Sequence, residues 1–541
     1  MPRYSYQPFP YKTPPELRGA RPGRYPVVIV GAGPVGLAMA IDLALHGIRS
    51  IVLDDNDVVS LGSRAICWSK RTLEIFDRLG VGERMVEKGV TWKVGRLFHR
   101  DREVWNFDLL PEPGHKMPAF INLQQYYVEQ YLVERAADFP DFIDLRWKNR
   151  LAALEKLAGG ARVTVETPDG AYTLETDWLI ACDGARSSVR SLLGLDLNGQ
   201  AFEERFLIAD VEMKADFPSE RWFWFEPPFH SGQSALLHKQ PDDIYRVDLQ
   251  LGPDADPEEE KKPENVIPRI EKVLGHKDFT LDWVSVYTFQ CRRLQDFVHC
   301  RVVFAGDSAH IVSPFGARGG NGGIQDIDNL AWKLALVLAD EAPESLIATY
   351  DEERVFGADE NSLNSARATS FMTPKSRMER LFRDSVLHLA REHDFARRLV
   401  NSGRLSKPCS LAGFSLQSDA EGEGGVAPGA AMPDAPVGNG KSGWLLNHVG
   451  GRFALMAVEA ELPEQTPEGV ERLVLTRDPG RRRRVNADRI LLDTEGLATA
   501  RYGVGMVYLV RPDQHIAARF RDAAPAKIIA ALARARGRAL S

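Results

Sequence analysis

From Pro26 to Asp54 the chain carries one short pattern that constrains its fold more than any other stretch. It runs Pro26-Val-Val-Ile-Val30, then Gly31-Ala-Gly33-Pro34-Val-Gly36, then a segment with Leu37, Ile41 and Leu45 four apart, then Ser50-Ile-Val-Leu-Asp54. An unbroken apolar run between turn residues is the pattern of a strand buried on both faces, as in parallel sheets. Parallel neighbours need a crossover, and the spacing of four supplies a helix for it. A lone GxGxxG is a weak signal. Here a strand precedes it, a helix follows it, and a carboxylate closes the next strand, which makes a dinucleotide-binding βαβ unit. Gly31 serves the tight turn, Gly33 lets the backbone approach a pyrophosphate, and Gly36 lets helix and strand pack closely. The helix that follows turns its N–H groups and positive dipole end to the phosphates, and Asp54 is placed to accept ribose hydroxyls.

Two further strand-to-turn junctions carry chemistry. Trp178-Leu-Ile-Ala-Cys182-Asp183-Gly184 leads into Ala-Arg186-Ser187-Ser188-Val189-Arg190, where Asp183 and Ser187 serve equally well as helix caps. Val302-Val-Phe-Ala305-Gly306-Asp307 ends a buried strand. A glycine-dense loop follows, Gly316-Ala-Arg318-Gly319-Gly320-Asn321-Gly322-Gly323. A carboxylate at a strand's C-terminal edge accepts hydroxyls, and consecutive backbone N–H groups at a helix start form a nest for an anion.

The remaining pattern predicts helices near 70–88, 124–138, 323–340 and 376–400, strands over 162–176, and an aromatic, β-branched second sheet over 206–250. A Pro- and Tyr-rich arm of about 25 residues precedes the first strand and is expected along the surface. A Ser/Gly/Pro/Ala-rich linker is expected over 402–442, with a small α/β domain after it. Arg481–Arg484 reads as a solvated turn. The 541 residues amount to three or four domains at ~150 residues each. Lys+Arg 68 against Asp+Glu 75 leaves a net charge of −7, which disfavours nucleic acid and anionic membranes as partners. Five cysteines without CxxC suit a reducing compartment, and no stretch reads as a signal peptide or membrane span, so the expected location is the cytoplasm.

The three motifs, in this order and spacing, resemble the group A FAD-dependent aromatic hydroxylases, over essentially the whole chain. The segment Pro428–Val437 and Val507-Tyr-Leu-Val-Arg511-Pro-Asp513 are similar to the tail of the larger members, among them 3-(3-hydroxyphenyl)propionate, phenol and polyketide hydroxylases. The resemblance implies an α/β fold: a Rossmann-like FAD-binding domain of the GR2 type, an inserted α+β substrate domain, and a C-terminal thioredoxin-like domain. The implied boundaries are an arm (1–25), FAD-binding parts (26–95, 121–200, 296–375), substrate parts (96–120, 201–295), a helical connector (376–407) and the last domain (408–541). Lacking CxxC, that domain is expected to pack or to make oligomer contacts, and a homodimer is one expectation.

Carried over residue by residue, the resemblance assigns FAD binding to Gly31, Gly33, Pro34, Gly36, Asp54, Arg64, Gln125, Asp183, Gly306, Asp307, Pro314, Gly319, Gly320 and Asn321. It places Pro314 near the flavin ring and Gly319–Asn321 at its N1/O2 edge. It implies NAD(P)H as electron donor and O2 as co-substrate, with a flavin C4a-hydroperoxide hydroxylating a phenol. The family loop is closer to GQGMN, so Arg318 is a departure. The acidic turn Asp54-Asp55-Asn56-Asp57 favours NADH over NADPH by repelling a 2′-phosphate. The substrate wall is expected from the second sheet, with Trp222, Phe223, Trp224, Phe225, Arg246 and Tyr287, and with His238 and Tyr287 as proton relay candidates. Ile66, two after Arg64, is aliphatic as in the hydroxyphenylpropionate hydroxylases, and favours a phenol with a side chain. Rival readings are a flavin halogenase, since Trp222–Pro227 approaches WxWxIP, a flavin oxidase, and a flavin-binding sensor.

Overall fold

The computed structural model describes residues 4–19, 23–252, 254–313, 316–400, 407–438, 442–480 and 487–538; Pro314 and Arg481–Arg484 lie outside them. The first sheet has parallel strands at its centre, in the order Val302–Phe304, Gly170–Ala181, Arg24–Val30, Ser50–Leu53 and Ile143–Arg146. The register matters for function. Val30 lies opposite both Leu53 and Ala181, and Ala181 lies opposite Phe304. Four parallel strands therefore end in line, and the three motifs follow directly from their carboxyl ends. Ligands of open α/β sheets bind at that edge.

Helix Pro34–Leu45 packs on this sheet beside helix Gly319–Leu338, through a core that includes Val27, Ile29, Leu37, Ile41, Val303 and Ile327. The helix expected near 70–88 is two, Lys70–Arg78 and Gly82–Lys88, because Gly80 takes a left-handed φ of 91° between them. The stretch 376–400 also divides, into Arg377–Ala390 and Asp394–Val400.

The second sheet runs His310–Ile311, Thr280–Arg293, Asn198–Glu212, Ile244–Leu251, Ser234–Lys239, Arg221–Phe225, Val94–His99 and Arg102–Asp108. Its two faces differ in chemistry. One, with Leu207, Val211, Leu237, Val247 and Leu249, is apolar and covered by helix Pro263–Leu274. The other carries Asp210, Arg246, His238 and Arg221 side by side across four strands. A third sheet is built from residues 436–520. Two of its neighbours, Phe453–Val458 and Val470–Thr476, are parallel, and Met506–Val510 and Ile516–Phe520 continue antiparallel.

One composition-based expectation is revised. The segment 407–438 is no free linker. It lies along strand Ile516–Phe520, with Ser418 N–H on the Ala517 carbonyl and Gly429 N–H on that of Ile516, and Arg519 gathers the carbonyls of Glu421, Gly422 and Gly424. The loop's carbonyls are satisfied by one guanidinium, which lets a Gly-rich chain lie down without a regular ladder. The N-terminal arm is pinned as well: Phe9 stacks on Trp147 and its N–H reaches the Asp57 carbonyl, while the Tyr4 ring sits 4.3 Å from that of Tyr126. No helix among the described residues is long and apolar enough to cross a membrane.

Candidate active site

The first motif is shaped by its glycines in different ways. A Cβ on Gly31, at φ 104°, would meet the Cys182 carbonyl oxygen at 2.4 Å, and one on Gly36 would meet the Gly31 carbonyl oxygen at 1.9 Å. A Cβ on Gly33 would meet nothing within 4 Å. Gly31 and Gly36 thus fix the turn, and Gly33 leaves open the space a ligand backbone contact needs. Asp54 takes the Ala32 N–H at 2.6 Å and the Asn56 N–H at 2.9 Å, which ties the end of the second strand to the glycine turn. Burial raises its pKa despite those bonds.

The second and third motifs are tied to each other. Ser308 donates to the Ala181 carbonyl at 2.6 Å, and Arg190 donates to the Ser308 carbonyl at 3.0 Å. Asp183 accepts from Ser188 Oγ and Val189 N–H through one oxygen, while its other oxygen, Oδ1, is buried without a partner. Ser187 is the N-cap of Ser188–Leu192. Asp183 therefore both shapes the turn and leaves an acceptor to fill. Gly306, at φ 65°, is wedged against Val35, and Gly323 would strike Val35 at 2.7 Å if it bore a Cβ. The Asp307 carboxylate, which burial pushes up in pKa, has no hydrogen-bond partner among the described residues. A Cβ on Gly319 would meet Asp307 Oδ1 at 3.8 Å, and one on Gly320 would press on Trp68 at 3.2 Å. The orphaned Asp183 oxygen, the unpartnered Asp307 and the open side of Gly33 fit a dinucleotide laid along this edge, with helix Gly319–Leu338 pointing its N-terminus at it.

Asn321 anchors the glycine loop. Its carboxamide accepts from Ser69 N–H at 2.9 Å and donates to the Cys67 carbonyl at 2.9 Å, so the side chain splices the glycine loop to strand Cys67–Ser69. Gln125 and Arg64 belong to one loop support. Gln125 accepts from Ala65 N–H at 3.2 Å and donates to Glu129 at 2.7 Å, holding Arg64, exposed and at φ 26°, over the second sheet. Arg318 is turned to Asn361 at 2.9 Å.

On the second sheet the structure brings Tyr287, Arg246 and His238 to the face that meets the first sheet's edge. Asp307, Arg64 and Arg246 all lie close enough to act electrostatically on the half-exposed Tyr287. Ile66 is buried, and its carbonyl accepts from Leu123 N–H. Trp222 and Trp224 are a correction. They alternate with Arg221, Phe223 and Phe225 along one strand, so they point to the opposite face, where they pack with Phe98, Phe217 and Phe229. They do not line the site, and the halogenase-like run places its tryptophans away from it. Both relay candidates lie on the site face. Burial, with Arg221 and Arg246 adding to it, holds His238 neutral, far below an ordinary imidazole, and partial burial raises the Tyr287 phenol above its ordinary value. Asp210, unremarked in the sequence, is instead pushed up to about 6 by burial, against the pull of Arg246. It accepts from Gln240 at 3.1 Å.

A second group escaped sequence reasoning. Asp326, inside the glycine-loop helix, takes Gly306 N–H at 2.9 Å, lies 2.6 Å from His310 Nε2, and accepts from Arg354 at 2.7 Å. Burial works to raise this carboxylate, but His310 and Arg354 outweigh it and hold it at about 2. Asp326, Asp328 and Lys333 all lie buried on this helix, so charge in the sequence did not single out Asp326. The acidic turn at 54–57 follows directly from the second strand. It lies at the dinucleotide site of the first sheet, so its charge bears on the nucleotide held there, and Lys148 pairs with Asp57 at 2.7 Å.

Known proteins agree with this geometry. The chain is 33% identical over 348 residues to a 12-dehydrotetracycline 5-monooxygenase/anhydrotetracycline 6-monooxygenase of Streptomyces rimosus, a match covering 61% of this chain and 66%, just under two thirds, of that enzyme. It is 28% identical over 451 residues to a 3-(3-hydroxy-phenyl)propionate/3-hydroxycinnamic acid hydroxylase of Escherichia coli, covering 82% of this chain and 79% of the relative. The fold matches that of aklavinone-11 hydroxylase, solved with FAD and aklavinone, with a TM-score of 0.77 at 22% identity over 96% of this chain and all of the other. The family model described as the FAD binding domain spans residues 24–361, all three strand-end motifs included, and the chain belongs to that family.

Proposed function

We propose that the protein is an FAD-dependent monooxygenase that hydroxylates a phenolic ring, consuming a reduced nicotinamide and O2 and releasing water. The observation that carries this reading is the convergence of the three motifs on one sheet edge beneath the polar face of the second sheet. Relatives named as hydroxylases of phenolic acids and of polyketides support it. Bound FAD would supply hydride acceptance from the nicotinamide and activation of O2.

The chain's own residues do the rest. Gly31–Gly36 and the helix behind them hold the pyrophosphate, and Asp54 the adenosine ribose. Asp183, Asp307 and the backbone N–H groups of Gly319 and Gly320 hold the flavin half. Asn321, Gln125 and Glu129 fix the loops around it. A phenol becomes a better nucleophile on losing its proton, and a base works best with a pKa near the working pH. Asp210 meets that condition, so we assign the proton relay to it. Tyr287 donates a hydrogen bond at the mouth of the site.

We place the FAD-binding parts at 26–95, 121–200 and 296–375, the substrate domain at 96–120 and 201–295, and the last domain from 408. Its parallel pair followed by an antiparallel pair and helix Pro525–Ala535 supports a thioredoxin-like reading, with no helix between Val458 and Val470. Exposed Met378, Leu381, Phe382, Phe395 and Leu399 support self-association. The function is tested by following NADH and NADPH oxidation by the FAD-loaded protein against a panel of phenols. A ring that accelerates oxidation and returns a hydroxylated product supports the reading; flavin binding without stimulation by any ring counts against it.

A further inference from the structure

Arg221, His238 and Arg246 stand in one row. Arg221 is paired across the ladder with His238, and His238 with Arg246, so all three share the face toward the site. Two strand spacings, about 10 Å, separate the outer pair. Arg246 is compensated, since it lies 3.1 Å from Asp248 Oδ1 and donates to the Arg64 carbonyl at 2.8 Å. Arg221 is not: half-buried, it has neither an ion pair nor a hydrogen bond among the described residues, and burial depresses its pKa. Asp248, the carboxylate near enough to act on it, is shared with Arg246, which holds it at 3.1 Å. His238 is 3% exposed, neutral, and its Nδ1 is buried without a partner. The Cys67 thiol is pushed up to about 11 by burial and stays neutral.

The row adjoins the flavin edge. The Cys67 carbonyl holds the Asn321 carboxamide, and Arg64, whose carbonyl Arg246 takes, is in the loop Gln125 supports. Drawing a guanidinium from water without a hydrogen-bond partner is destabilising. Sites keep such a strain when a ligand relieves it.

We propose that Arg221, aided by the free nitrogen of His238, is an anion subsite for a carboxylate carried by the aromatic substrate, so that the substrate class is phenolic acids. This rests on the hydroxylase reading and deepens it. The carboxylate is the shared chemistry, and the phenolate of a neutral phenol is the competing source of negative charge.

The test measures binding to the FAD-loaded full chain through the flavin absorbance change, with 3-(3-hydroxyphenyl)propionate, its primary amide and 3-phenylpropionate. A charged hydrogen-bond pair corresponds to about 10- to 100-fold in affinity. The acid is expected to bind more tightly than the amide by that factor, 3-phenylpropionate to retain binding, and Arg221→Gln to erase the acid's advantage while leaving the amide within about twofold. The ligand-free Arg221→Gln protein is also expected to melt higher than the parent, which a purely structural arginine would not do. Equal binding of acid and amide to the parent protein, which needs no variant to fold, would overturn the subsite. So would binding of none of the three probes, or a variant that weakens acid and amide alike. An acid that binds through Arg221 yet never stimulates nicotinamide oxidation upholds the subsite and removes the hydroxylase reading.

Discussion

Arg511 donates to both carboxylate oxygens of Glu353, at 2.5 and 2.9 Å, with both side chains fully buried. Glu353 belongs to the long helix Ala348–Met372 behind the flavin sheet, and Arg511 follows the third sheet's strand Met506–Val510. Lys333 joins Glu353 at 2.9 Å, and Asp513 closes on Arg511. One removed charge leaves the rest buried and unpaired, which costs about 3–5 kcal/mol. Glu353→Gln is therefore expected to lower unfolding stability by that amount and to loosen the C-terminal domain first. Equilibrium denaturation with limited proteolysis reads both. Burial alone would raise the Glu353 pKa, but Arg511 and Lys333 bring it below the ordinary value. A depressed carboxylate adds stability above its unfolded pKa and loses it as pH falls through the folded one, so the contribution disappears in acid, below the usual glutamate range.

Asp210 has the opposite sign. Its pKa rises from 3.8 to about 6, so folding favours the protonated form, and the penalty for ionising it grows between about pH 4 and 6. At ~1.4 kcal/mol per unit, Asp210→Asn is expected to gain on the order of 3 kcal/mol at pH 7–8 and nothing below pH 4. As the relay, Asp210 should also give kcat a rise through pH 6 that the variant lacks. A pH series of melting curves and turnover checks both, and a flat stability difference would remove the buried-carboxylate account.

The glycines separate fold from ligand. Gly36→Ala places a methyl 1.9 Å from the Gly31 carbonyl and is expected to abolish folded protein. Gly33→Ala meets no protein atom and is expected to fold normally, with flavin affinity reduced at least about tenfold, or ~1.4 kcal/mol. Thermal melts of apoprotein beside flavin titration distinguish them.

The faces of the second sheet give a third comparison. Trp224→Phe, on the covered face, is expected to leave KM for any accepted phenol within about twofold and to cost about 1 kcal/mol of stability. Tyr287→Phe, on the site face, should alter KM or kcat with little loss of stability. Steady-state kinetics and denaturation of the pair settle the assignment of faces.

The parts of this site legible in the sequence are local ones. Gly31–Asp54 and Gly306–Asp307 each state a strand, a turn and a helix start within a few residues, so the edge where FAD belongs is legible from the order of residues alone. Trp222 and Trp224 could not be placed, because a strand's alternation shows that they share a face but not which face meets the site. Asp210 and Arg221 were missed for the same reason: their meaning comes from neighbours on adjoining strands. Glu353 and Arg511, 158 residues apart, show no pattern in the chain at all. The segment 407–438 read as a linker because composition registers glycine and serine but not the guanidinium of Arg519 that collects their carbonyls.

The central claim, oxygen transfer to a ring, is tested most directly with isotopic oxygen. The FAD-loaded protein is supplied with reduced nicotinamide, labelled O2 and the phenol that most accelerates nicotinamide oxidation. The account predicts a hydroxylated product carrying one labelled oxygen atom for each nicotinamide consumed. Labelled hydrogen peroxide with unchanged phenol would contradict it.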